Sequence, residues 1–251
     1  HWTSQAQTPR VLLPGLAAQP WWDPASFGVA ARLEEAWASG AIQRDLERIG
    51  LNAGGSRAAN HANAAFERIV SSGAPISAAA GADADAAGVW SEFMIFDGNA
   101  WLEERCALTV SLCALLRKAP EVAGEVVNAD ESVLGPQGQV TLFRLHPGAH
   151  VLPHVGVTNR RLVLQFPLRG WRGVRIRVAN ESRRYTEGRA MVFDDSFEHE
   201  VVHDGDEPRF VLYAVLHHPE LGTPVLRSPS EAVCADDVTK IPATSIGSSS
   251  E

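Results

Sequence analysis

The residues best suited to chemistry lie between positions 139 and 220 of this 251-residue chain. His154 stands in Pro153-His154-Val155-Gly156. His199 follows 45 residues later, in the run from Phe193 through Asp194, Asp195 and Glu198 to Val201. Arg209 comes ten residues beyond it and opens the apolar run Phe210-Val211-Leu212-Tyr213. A neutral imidazole nitrogen is a good ligand for a transition metal, and two of them plus a carboxylate on one face leave open positions for reactants. In such sites the first His and the carboxylate commonly come as His-x-Asp or His-x-Glu. Here Gly156 holds the carboxylate position. An arginine at the mouth of a buried strand is unfavourable unless it meets an anion, and its guanidinium fork suits a carboxylate. On residue types alone, a pair of structural histidines is as good a reading as a pair of ligands.

The neighbouring candidates weigh differently. His150-x-x-x-His154 has the spacing of a cupin-like metal pair, but His146 and His150 read better as structural or supporting groups. Asp194 and Asp195 read as residues that hydrogen-bond the turn and orient His199, as carboxylates behind metal ligands do. His203, His217 and His218 read as structural, and Trp21 and Trp22 as core.

The elements that must position these groups change character along the chain. Phe27–Trp37 and Ile42–Ile49 have helical spacing, with Ser39-Gly40 as a stop between them. Val110–Lys118 reads as another short helix. Residues 52–88 are rich in Ala, Gly, Ser and Asn, and Ala78–Gly88 reads as a flexible loop. From Gln139 onward short strands are expected at Val140–Leu145, Arg161–Leu168, Val174–Val178, Ala190–Phe193, Glu200–His203 and Arg209–His217, separated by Gly, Pro and Asn signals. That spacing predicts a mainly β protein with flanking helices, a sandwich or jelly roll. The expected organisation is a loose end over 1–10, one domain over 11–225 and a polar tail over 226–251. The domain divides into a helical, loop-rich part to about 138 and a β core over about 139–221.

Composition narrows the function classes. Hydrophobic residues make up 45% and charged residues 21%, enough for a real core. A net charge of −8 argues against nucleic acid or an anionic membrane surface as partner. No apolar run approaches the roughly 18 residues of a membrane span. Three cysteines are too few for a disulfide framework and assign no compartment; Cys106 and Cys113, seven apart, are as readily free as paired.

The long segment from His146-Pro147-Gly148 through Pro153-His154-Val155-Gly156 to Arg160-Arg161-Leu162 resembles the aspartyl/asparaginyl β-hydroxylase family. So do Val178-Ala179-Asn180-Glu181, Glu187-Gly188, Phe193–Val201 and His218-Pro219-Glu220-Leu221. The opening Pro14-Gly15-Leu16 and Pro20-Trp21-Trp22 are also similar, so the resemblance covers about residues 11–221. It implies a double-stranded β-helix that hydroxylates the β-carbon of an Asp or Asn residue. The reaction it implies is coupled to oxidation of 2-oxoglutarate by O2 to succinate and CO2 at Fe(II). His154 and His199 match the iron ligands, and Gly156 matches members that hold iron without a carboxylate. Arg209 matches the arginine that binds the distal carboxylate of 2-oxoglutarate. Arg161 matches one that meets the substrate carboxylate, which favours an acidic side chain, Asp ahead of Asn. Phe143, Val163 and Gln165 stand where a Ser, an Arg and a His of the family contact the co-substrate, so that pocket is expected to be rebuilt, with Gln165 and Arg161 at its edge. Cys106 and Cys113 match the spacing of a cysteine pair in the family. The expected partner is a peptide or amino acid containing Asp or Asn. Two other classes fit the same residues: a cupin-type metalloenzyme that uses no 2-oxoglutarate, and a β-barrel binding module without activity.

Overall fold

A computed structural model describes residues 7–51, 66–68, 76–78, 90–127 and 132–226. The expected flexible loop after Ala78 and the expected polar tail after Leu226 lie outside them.

Two antiparallel sheets make the frame. The first has seven strands, in the order β1 (Trp21–Trp22), β12 (Met191–Phe193), β9 (Arg161–Arg169), β14 (Arg209–His217), β7 (Val140–Leu145), β4 (Trp90–Phe96) and β2 (Glu67–Arg68). The second has five, in the order β11 (Glu181–Arg184), β10 (Val174–Val178), β13 (His199–His203), β8 (Ala149–His154) and β3 (Ile76–Ala78). A small hairpin of β5 (Val126–Val127) and β6 (Val133–Leu134) stands apart. From β7 to β14 the chain passes repeatedly from one sheet to the other, which is the double-stranded β-helix of a jelly roll.

Alternation along the strands assigns each side chain to one of two apolar layers. On β9, Leu162, Leu164, Phe166 and Leu168 pack outward against helices α1 (Gly28–Ala38) and α2 (Ala41–Arg48) and the helical stretch that follows β4. Val163 packs inward between the sheets, with Val151, Ile176 and Val201 of the second sheet. Arg161 and Gln165 share its parity. A strand covered on both faces reads as the continuous apolar run seen in Arg161-Leu162-Val163-Leu164-Gln165-Phe166.

The expected Val110–Lys118 helix is Val110–Leu116 (α4), preceded by α3 (Glu103–Leu108) and followed by α5 (Pro120–Ala123). Cys106 on α3 and Cys113 on α4 are joined as a disulfide, which ties the two short helices together beneath the outer apolar layer.

The expected loose N-terminal end is corrected from residue 7 onward. Gln7 is 1% exposed and its amide donates to Asp194 Oδ2 at 2.9 Å and Ser196 Oγ at 2.7 Å. Thr8 and Val11 donate backbone N–H bonds to Ser196 and Val157. The anchor is a buried polar amide satisfied by residues 187 and 189 positions away, a pairing that local composition does not reveal.

Candidate active site

β8 and β13 are neighbours in the second sheet, and His154 and His199 face one another directly across them. Further along the pair Val151 faces Val201, so three residues of β8 cover the distance of two on β13. This extra residue is a β-bulge. It matters because Val151 points between the sheets, and strict alternation would turn a residue three positions on to the outside. The bulge restores His154 to the inner side. Pro153 fits there because a bulge tolerates the loss of a ladder N–H.

The two imidazole rings stand 4.1 Å apart, centre to centre. Each Nδ1 is bonded to the carbonyl two residues earlier: His154 to Leu152 at 2.8 Å and His199 to Phe197 at 2.9 Å. A carbonyl only accepts, so Nδ1 carries the proton and each Nε2 lone pair is left uncommitted. Burial lowers the pKa of both. His199 falls to about 3, with the neighbouring His154 adding to the effect. Both rings are therefore neutral near pH 7, the form that binds a metal.

Beside them lies Asp195, 3% exposed. Arg161 Nη2 donates to its Oδ2 at 2.7 Å. Burial raises the Asp195 carboxyl and opposes the charge on Arg161; for Arg161 the carboxylate contact wins, and its pKa is raised. Thus the arginine expected to meet a substrate carboxylate already has a carboxylate partner within the chain. Gly156 donates its N–H to the Asp195 carbonyl at 2.5 Å, and a Cβ placed on it would sit 2.4 Å from the Asp195 carboxyl carbon. The absence of a side chain at position 156 is what gives the Asp195 carboxylate its room. Asp194 bonds the turn as expected, accepting from the Ser196 N–H at 2.9 Å and from Gln7, and burial raises its pKa to about 6. The orientation of His199 comes from the Phe197 carbonyl, not from either aspartate.

Arg209 enters from β14 and is 4% exposed. Its Nη2 donates to Gln165 Oε1 at 2.8 Å, and its guanidinium lies 4.4 Å from the centre of the Tyr185 ring. Among the described residues its Nε has no hydrogen-bond partner and no carboxylate pairs with it. Burial alone depresses its pKa, with Tyr185 opposing. A buried guanidinium without a counter-charge is costly, which makes it a ready receptor for an anion.

These groups border one cavity of about 430 Å³: His154 and His199 come to it from the second sheet, Gln165 and Arg209 from the first, and Asp195 lines it on its bond to Arg161. Trp90, Phe143 and Tyr213 form an aromatic wall, with Phe143 5.2 Å from each of the other two rings. A larger depression of about 810 Å³ lies between Trp37 and Trp171. It contains no histidine, and none of the groups above reaches it.

Four of the other histidines have structural partners. His150 bonds Glu200 at 2.6 Å, while His217 and His218 bond the carbonyls of Gly124 and Ala17. His203 bonds the Glu207 carbonyl. Sequence reasoning missed Tyr185, Tyr213 and Trp90. Only Tyr213 carried a signal, since it shares the parity of Arg209 on β14.

Among the described residues no helix is long and apolar enough to cross a membrane. The family model for aspartyl/asparaginyl β-hydroxylase matches residues 55–219. The chain is 31% identical to the aspartyl/asparaginyl β-hydroxylases of Mus musculus, over 234 residues, and Homo sapiens, over 238. Each match takes in 93% of this chain but only 28% and 27% of those proteins. The human aspartate β-hydroxylase domain-containing protein 2 is 36% identical over 87 residues, 34% of this chain and 24% of that protein. A cupin domain of a transcriptional regulator from Enterobacter cloacae superposes on 32% of this chain and 81% of its own, at 15% identity and a TM-score of 0.29. The fold therefore rests on the sheet topology and the family on the sequence: this chain belongs to the aspartyl/asparaginyl β-hydroxylase family.

Proposed function

We propose that this chain is an Fe(II)- and 2-oxoglutarate-dependent dioxygenase, with residues 11–225 as its catalytic unit. It hydroxylates the β-carbon of an Asp or Asn residue in a peptide or a related amino acid, and releases succinate and CO2. The observation that carries the reading is the pair of inward, neutral imidazoles, each with Nδ1 tied to a carbonyl and Nε2 free. That donor set fits a ferrous ion, and among the described residues no third His, Cys, Asp or Glu completes a metal cluster with them. When bound, the iron supplies the oxidising chemistry.

The chain's own residues do the rest. His154 and His199 hold the metal in a neutral, two-imidazole site. Arg209 takes the distal carboxylate of 2-oxoglutarate, which supplies the counter-charge it lacks. The aromatic wall of Trp90, Phe143 and Tyr213 keeps water from the reacting groups. Arg161 and Asp195 border the side from which the substrate side chain approaches. The Arg161–Asp195 pair presents both a donor and an acceptor there, so Asn is accommodated as well as Asp.

The test is a coupled assay on Asp- and Asn-containing peptides and the free amino acids. Turnover should require both Fe(II) and 2-oxoglutarate, with one succinate per product heavier by one oxygen. Product formed without 2-oxoglutarate would instead identify a cupin-type metalloenzyme. No metal uptake after anaerobic reconstitution would leave a binding module.

A further inference from the structure

Among the described residues that line the active-site cavity, three are exposed: Arg10, Val155 and Val157. They mark its mouth. Arg10 is carried by an N-terminal strap that is tied down on both sides of it. Before it, Pro9 is buried and the Thr8 N–H bonds the Ser196 carbonyl at 3.1 Å. After it, the Val11 N–H bonds the Val157 carbonyl at 2.9 Å, and Leu13 exchanges two bonds with the Asn159 side chain, at 2.8 and 2.9 Å. The charges of the lining do not balance. Arg161 and Asp195 neutralise one another, and Arg209 goes to the co-substrate under the proposed function. That leaves Arg10, whose side chain makes no bond or ion pair among the described residues. An uncompensated cation at the mouth, in a chain of net charge −8, is a receptor for an anion on whatever enters. Beside it the apolar side chains of Val11, Val155 and Val157 are all exposed.

Building on the proposed hydroxylase activity, we propose that Arg10 is a specificity-determining residue: it pairs with an acidic side chain that flanks the target Asp or Asn in a peptide substrate. An extended chain advances only about 3.5 Å per residue, so that acidic residue lies within about three positions of the target. The exposed valines argue for a peptide over a free amino acid. An amino acid has one side chain, and that one is committed to the reacting centre. An apolar rim beside a free cation matches a longer ligand with further side chains to place. Arg161 cannot take this part, because Asp195 already holds it. The new pair lies at the surface, so it sets a preference among substrates more than it sets affinity.

The experiment is a competition read by mass spectrometry. Protein supplied with Fe(II) and 2-oxoglutarate acts on two Asp-containing peptides in one mixture, identical except for Glu or Gln at one flanking position, taken in turn along both sides. The product ratio reports the ratio of kcat/KM within a single protein. Wild type should favour Glu over Gln at one position or more by about two- to fivefold, the worth of an exposed ion pair. That preference should shrink as salt rises. Arg10→Gln should erase it, Arg10→Lys should keep part of it, and Arg10→Glu should shift it to the peptide with Lys at that position. Arg10 is exposed and unpaired among the described residues, so these changes leave the fold intact. Equal use of the Glu and Gln peptides by wild type, or an unchanged preference in Arg10→Glu, overturns the role of Arg10 while the proposed function stands. Free Asp hydroxylated ahead of every peptide moves the carboxylate to the amino acid's own main chain and overturns the peptide assignment. No hydroxylated product from any peptide or from free Asp or Asn overturns both.

Discussion

Gly156 and Asp195 occupy a single space: a Cβ on Gly156 would lie 2.4 Å from the Asp195 carboxyl carbon, while its N–H bonds the Asp195 carbonyl at 2.5 Å. The glycine is thus more than a missing ligand. It is the vacancy into which the carboxylate of Asp195 fits, held there by Arg161. Gly156→Ala should force that carboxylate out. The expected cost is about 1–3 kcal/mol of stability, as for other overpacked sites, read by denaturant unfolding, together with a marked drop in turnover. Gly156→Asp should behave as badly, and adding Asp195→Gly to it should restore stability by reopening the space. Gly156→Asp alone as stable as wild type would contradict this.

The bulge between β8 and β13 sets the parity of His154. Deleting Leu152 should remove the extra residue and turn His154 out of the cavity. The expected protein keeps its β-rich circular dichroism and binds no Fe(II) under anaerobic conditions. Unchanged metal content would show that the bulge is not what aims this histidine.

Arg209 has no counter-charge among the described residues. Arg209→Ala should raise the 2-oxoglutarate KM by about 10- to 100-fold, corresponding to roughly 1.5–3 kcal/mol for a hydrogen bond to a charged group. Arg209→Lys should recover part of it, since a point charge lacks the fork. Normal 2-oxoglutarate kinetics in Arg209→Ala would move the role to another arginine.

Asp194 gives a pH signature. Its carboxyl is raised by burial from 3.8 to about 6, so the folded state holds the proton more tightly than the unfolded state. Its contribution to stability is fully present below pH 3.8 and is lost as pH rises through 6. Wild type should therefore lose stability relative to Asp194→Asn between those values, by an amount on the order of 2–3 kcal/mol. Parallel stability curves for the two proteins over pH 4–7 would contradict the assignment of a buried, proton-holding carboxyl.

Much of the jelly roll was legible because its central strands are covered on both faces. Arg161–Arg169 and Arg209–His217 each bury an apolar row against the helices, and the expected spans differ by at most one residue. The parity that turns Arg161 and Gln165 inward could also be read from alternation. β8 was not legible, because Pro153 and two histidines interrupt its pattern and the bulge breaks its period. β11 is Glu-Ser-Arg-Arg, an exposed strand at the sheet edge with no apolar face to read. The pairings of Arg161 with Asp195, of Gln7 with Asp194 and of Tyr185 with Gln165 join residues 20 to 187 positions apart. Such contacts arise from the fold and leave no trace in local sequence.

The most direct test of the account is a crystal structure of the protein grown without oxygen in the presence of Fe(II) and 2-oxoglutarate. The expected result is an iron bonded to Nε2 of His154 and Nε2 of His199 and to no other side chain, with the far carboxylate of 2-oxoglutarate on Arg209. An iron with Asp194, Asp195 or Glu198 in bonding range, about 2.0–2.2 Å by analogy with other metal–carboxylate bonds, or an iron that leaves either histidine free, would contradict it.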